Sequence, residues 1–121
     1  MRVRKALHAL GFRYRLHVRK LPGSPDIVLP KYHLAIFVHG CFWHRHSGCR
    51  FATTLAQNRN SWLHKFNQNI VRDNRQIQCL IDKGWRVLVI WECGLKLATL
   101  NLLWLPEHIK SNHASFAEWP E

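Results

Sequence analysis

A chain of 121 residues is long enough to bury a real core and short enough to be one domain, and its 47% apolar content argues against wholesale disorder. Eighteen Lys and Arg against seven Asp and Glu leave a net charge of +11, an excess matched most simply by a polyanion, nucleic acid ahead of an acidic membrane surface. No apolar run approaches the ~18–20 residues of a membrane span, and the opening MRVRKALHALGFRYR has no apolar signal-peptide region, so a cytoplasmic protein is expected.

Val3, Ala6, Leu7 and Leu10 recur at helical spacing, and Gly11 provides a C-terminal stop. Next, Phe12, Tyr14, Leu16 and Val18 alternate with Arg13, Arg15, His17 and Arg19. That pattern predicts a strand with one apolar and one strongly basic face, the basic face either solvated or turned toward phosphates. LPGSP (Leu21 to Pro25) reads as a turn, and Asp26-Ile27-Val28-Leu29 as a short apolar strand headed by an acid. Pro30-Lys31 breaks it, and His33 to Val38 (HLAIFV) has the near-continuous apolarity of a strand close to the sheet centre. Residues 39–61 are irregular and polar, too long for a plain connector, and are expected to be functional or metal-stapled.

From Ser61 the period changes. Trp62, Phe66, Ile70, Ile77 and Leu80/Ile81 trace one face of a helix of roughly twenty residues, with Lys65, Arg72, Asp73, Arg75 and Lys83 mostly off it. Cys79 is expected to face the helix core, and Gly84 ends the helix. Trp85 to Trp91 (WRVLVIW) predicts another buried strand, Leu95 to Leu103 a weak helix, and 97–121 a weakly structured tail. With no repeats and no linker, the whole of 1–121 reads as a single α/β domain with a mixed sheet flanked by helices.

Three constellations carry chemistry. Cys41-x4-His46-x2-Cys49, completed by Cys93, offers the four ligands of a closed structural zinc site, with His46 preferred over His44 on spacing. Four cysteines in a cytosolic chain point to metal or burial ahead of disulfides. Asp26 is the one acid placed at the mouth of adjacent central strands, where a hard cation such as Mg²⁺ finds its oxygen ligand. His39 and His44 are candidates to move a proton during metal-assisted phosphodiester cleavage. Finally, Phe42, Trp43 and Trp62 are aromatics that either cap the core or wedge between bases.

In this order, PDIVLPKYHLAIFVHGCFWHRHSGC, SWLHKFNQNIVRDNRQ and GWRVLVIWEC resemble the very short patch repair (Vsr) family of DNA mismatch endonucleases, over roughly residues 3–96. The resemblance implies a restriction-endonuclease-like α/β fold, a structural zinc, and Mg²⁺-dependent nicking beside a T:G mismatch left by deamination of 5-methylcytosine. It implies Asp26 as the metal-binding aspartate, with the backbone carbonyl of Val38 as a second contact. His39 and His44 match the two active-site histidines, His44 being favoured as general base. Cys41, His46, Cys49 and Cys93 match the zinc ligands. Phe42, Trp43 and Trp62 match intercalating aromatics, and Lys65 and Asn69 match helix positions near the mismatched pair. Such proteins are expected to act as monomers on double-stranded DNA at the bacterial nucleoid, alongside mismatch-repair proteins and a cognate cytosine methyltransferase. Family members carry a further N-terminal helical segment with an acidic residue that completes the site. Here no Asp or Glu precedes Asp26, so an N-terminally short member is expected. The alternative is a zinc-stapled mismatch- or DNA-binding module with weak or no catalysis; a third reading is a nuclease in which His39 outweighs Asp26.

Overall fold

A computed structural model of the chain describes residues 2–40, 59–93, 104–111 and 114–119. Among these, five strands form one mixed sheet in the order of the chain: β1 (Arg15–Leu16), β2 (Ile27–Leu29), β3 (Leu34–His39), β4 (Arg86–Trp91) and β5 (Phe116–Trp119). β1, β2 and β3 pair antiparallel, whereas β3, β4 and β5 pair parallel. β3 and β4 are therefore central, as their unbroken apolar sequences require. The helices are α1 (Arg2–Ala9), α2 (Arg59–Asp82) and α3 (Leu105–Ser111).

Local chemistry explains where the elements stop. Gly11, Gly23 and Gly84 all take positive φ, at 80°, 78° and 88°, conformations that cost a glycine little. Pro30–Tyr32 forms a single 3-10 turn closed by His33 in the left-handed region, which separates the short β2 from β3. The predicted strand over Phe12–Val18 shrinks to Arg15 and Leu16, both exposed. His17 sits at φ 49°, outside the extended region, so the ladder cannot run on.

Each face of the sheet has its own core. On one side Val3 and Leu7 of α1 and Leu105 and Ile109 of α3, all fully buried, pack against Ile27, Leu34, Ile36, Leu88 and Ile90. On the other, Leu80 of α2, with Ile77 and Ile81, covers Ala35, Phe37, Val87 and Val89. Burying one such side chain stabilises the fold by about 1.5–3 kcal/mol, so these two layers hold the sheet between helices.

Two expectations need correction. Cys79 is exposed, not turned into the core, because it lies about 100° round the helix from Leu80. The tail beyond residue 97 is not uniformly weak: α3 and β5 are regular, and β5 adds a parallel strand to β4. Arg86 ties α3 to the sheet, donating to the Ile109 carbonyl at 3.0 Å and the His108 carbonyl at 2.8 Å. These are late-helix carbonyls that a half-buried cation satisfies well. The expected helix over Leu95–Leu103 lies outside the described residues.

Candidate active site

The C-terminal ends of the parallel β3–β4 pair are where an open α/β sheet leaves room for a ligand. There a cleft of about 400 Å³ opens between the sheet and α2, lined by Asp26, Val38, His39, Arg72, Asp73 and Gln76, with Gly23, Ser24 and Phe37 at its edge. Asp26 precedes β2, and its Oδ2 accepts the Val38 amide N–H at 2.7 Å. A charge-assisted bond of this length fixes the carboxylate against the neighbouring strand and leaves Oδ1 for other work.

His39 ends β3 and is 7% exposed. Its ring lies between those of Phe37 and Trp91, at centroid separations of 5.5 and 5.3 Å. The flanking rings limit its rotation, and it lines the same cleft as Asp26. Trp91 is itself anchored, since its indole N–H donates to Glu118 Oε2 at 3.0 Å. The wall opposite Asp26 is closed by a close approach: a Cβ on Gly23 would lie 3.0 Å from Gln76 Oε1 and 3.1 Å from Phe37 Cε1. The turn before Asp26 thus abuts both α2 and β3, and only a glycine allows it.

Asp73 is the residue that pattern reading missed. It was placed off the apolar face of α2, yet its side chain is only 12% exposed and it lines the cleft, with Arg72 Nη2 at 3.7 Å. The signal was there. Phe66, Ile70, Asp73, Ile77 and Leu80 follow one another at spacings of three and four, so the acid interrupts the inward stripe. Arg72, 54% exposed in its side chain, brings a cation to the rim of the same cleft.

The remaining expected residues divide into two groups. Trp62, Lys65 and Asn69 are all on the N-terminal half of α2. A 24-residue helix is about 36 Å long, against about 20 Å for a six-residue strand, so this half overhangs the end of the sheet beyond the cleft. Trp62 stacks on buried Phe66 at 5.8 Å with the Lys65 ammonium 5.5 Å from its ring, a braced aromatic at the start of the overhang. Cys93 is buried just after β4. Cys41, Phe42, Trp43, His44, His46 and Cys49 lie outside the described residues. Among the described residues no three His, Cys, Asp or Glu side chains converge as a metal cluster, and no helix is long and apolar enough to cross a membrane.

The donor set nevertheless suits a hard cation. Two carboxylates, Asp26 and Asp73, line one cleft and offer the oxygen ligands that Mg²⁺ prefers. Carboxylates, a histidine and a cation in an open cleft on a strongly basic protein fit hydrolysis of a phosphodiester better than chemistry on a cationic or apolar substrate.

Comparison with known proteins agrees with this chemistry. A family model described as DNA mismatch endonuclease Vsr matches residues 1–50. The chain is 48% identical over 93 residues to the Type II nicking enzyme V.XorIIP of Xanthomonas oryzae pv. oryzae, covering 77% of this chain and 68% of that one. To the DNA mismatch endonuclease Vsr of Escherichia coli it is 42% identical over 95 residues, covering 78% and 60%. To the Type II nicking enzyme V.NmeAIP of Neisseria meningitidis it is 45% identical over 94 residues, covering 78% and 66%. The chain spans between three fifths and two thirds of the length of the latter two relatives.

Proposed function

The chain belongs to the DNA mismatch endonuclease Vsr family, and from that premise we propose that it nicks one strand of duplex DNA beside a T:G mismatch arising from 5-methylcytosine deamination, initiating very short patch repair. The observation that carries this reading is the cleft itself, where Asp26, braced by the Val38 amide, stands with His39 and Asp73 at the ends of the central strands.

Asp26 Oδ1, Asp73 and the Val38 carbonyl would hold Mg²⁺, which when bound supplies charge neutralisation at the phosphate and acidity to a water. The protein's own residues do the rest. Asp26 keeps its place through the Val38 bond, and His39 and His44 carry protons to and from the reacting oxygens, with His44 as general base. Arg72 at the rim adds positive charge toward the phosphate. Phe42, Trp43 and Trp62 enter between bases next to the mismatch, and Lys65 and Asn69 approach the mismatched pair from the overhanging half of α2. A structural zinc held by Cys41, His46, Cys49 and Cys93 would tie the intervening loop to the end of β4. The same reading gives a restriction-endonuclease-like fold and a monomer at the bacterial nucleoid, working with mismatch-repair proteins and a cognate cytosine methyltransferase.

The test is nicking of a T:G duplex with Mg²⁺, comparing this chain with Asp26→Ala. Wild-type protein is expected to cut one strand of the mismatched duplex, to stop on chelation, and to lose about 10²–10³-fold in rate on the substitution. Wild type cutting no faster than the variant while still shifting the duplex would leave only a DNA-binding module. For zinc, metal analysis is expected to return about one zinc per chain; a folded, zinc-free preparation would remove the staple.

A further inference from the structure

The cations around β1 lie outside the cleft yet share its side of the sheet. Phe12 and Tyr14 pack against the α1/α3 core, and successive residues of an extended chain point to opposite faces. Arg13 and Arg15 are thereby turned to the α2 side. Register agrees: Arg15 is opposite Val28, two residues along the row that Asp26 begins, and directly opposed residues share a face. The His17 amide N–H donates to the Asp26 carbonyl at 3.1 Å, which fixes this ribbon one strand away from the acid.

Arg13, Arg15, His17, Arg19 and Lys20 are all exposed, and no Asp or Glu occurs anywhere before Asp26 to neutralise them. The turn that follows, through Gly23 and Ser24, leads straight into the cleft wall. A row of like charges on the open edge of a sheet is thus continuous with a site that already holds carboxylates.

We propose that Arg13, Arg15, Arg19 and Lys20 grip the phosphate backbone of the duplex alongside the cleft, without reading its sequence. This surface rests on the nuclease reading of the cleft and adds a contact to those of the loop and α2. Duplex DNA carries one charge per about 1.7 Å of axis. Arg13, Arg15, Arg19 and Lys20 fall within eight residues of one another, so more than one phosphate lies within reach of such a segment.

The experiment measures binding of the full chain to T:G and fully paired duplexes across a salt series, with Ca²⁺ replacing Mg²⁺. Arg13→Gln, Arg15→Gln and Arg19→Gln are combined in one variant. Lys31→Gln, Lys83→Gln and Lys110→Gln, exposed cations on the other side of the sheet or at the far end of α2, are combined in a control that removes the same charge. The arginine variant is expected to reduce the slope of log K against log salt by about 2–3. Its affinity at 0.15 M salt should fall about tenfold or more, equally on both duplexes. The lysine control should change the slope by less than about one. The proposal is overturned if the two variants bind alike, or if the arginine variant loses affinity for the mismatched duplex alone. It is also overturned if that variant self-associates with unchanged DNA binding, because the charges would then serve only to protect the sheet edge. The two readings can fail separately: wild type that binds with a steep salt slope but nicks nothing removes the enzyme and keeps the surface.

Discussion

On the α1/α3 side of the sheet, packing runs from Val3 and Leu7 through Ile36 and Leu88 to Leu105 and Ile109 without an acid among them. The α2 side begins the same way, with Leu80 over Ala35 and Val87. Further along the same strands it gives way to an open cleft lined by Asp26, His39 and Asp73. Both faces are made by the same β-strands, so the difference comes from the helices. α1 and α3 each turn an apolar pair to the sheet, Val3 with Leu7 and Leu105 with Ile109, while α2 places Asp73 in its inward stripe, where it lines the cleft. One face provides stability and lets the other hold unfavourable polar groups close together.

Breaking the sealed face should have the largest effect. Leu88→Ala removes a central side chain that is 1% exposed and is expected to cost about 2–5 kcal/mol, read from denaturant unfolding. A loss below about 1 kcal/mol would mean that this core can collapse around the gap. Nicking by the protein that remains folded should persist. Asp73→Asn does the reverse on the open face. It should leave unfolding nearly unchanged and slow nicking by about 10–100-fold, equivalent to about 1.4–2.7 kcal/mol of barrier. An unaltered rate would take Asp73 out of the site.

The smallest effect concerns pH and again separates the faces. His108 of α3 has its pKa pushed down from the ordinary histidine value of 6.5, by burial and then by the Arg86 charge. The folded state therefore takes up this proton at lower pH than the unfolded chain. Stability contributed by neutral His108 is fully present above about 6.5 and declines as pH falls from there through the lowered folded value. His108→Gln should flatten that part of the unfolding profile between pH 7 and the acid limb; an unchanged slope would assign it to other groups. Because the ring belongs to the sealed face, the pH profile of nicking should not follow it.

Much of this architecture was legible in the sequence, and for a physical reason. HLAIFV and WRVLVIW are too apolar to be anything but central strands, and the stripe from Trp62 to Ile81 marks a helix that covers them. What escaped were the places where one position's geometry overrides a pattern. The alternation around Leu16 is stronger than that of many strands, yet His17 at positive φ ends it after two residues. The tail looked weak because its helix and strand are short; they are held by Arg86 and the β4 backbone, partners far away in sequence. At the site, Asp26 and His39 drew notice from the pattern because they bracket adjacent strands, whereas Val38 came from the family resemblance; all three line the cleft. Asp73 was overlooked because an acid was assumed to point outward, when only its spacing among Phe66, Ile70 and Ile77 placed it inward.

β5 has a consequence beyond the pocket-side chemistry. Its four residues run along Val87–Ile90 and close off the backbone of β4. Glu118 then fastens Trp91 at the end of that pairing. Without β5, Arg86–Trp91, with a single charge among six residues, would be a bare strand margin with the composition of a fibre-forming segment. The margin that β5 presents instead is four residues long and carries Glu118 beside exposed Phe116, a short and charged edge that is a poorer template for another chain. This modest strand covers the sheet margin that would otherwise offer the most apolar backbone to a second chain.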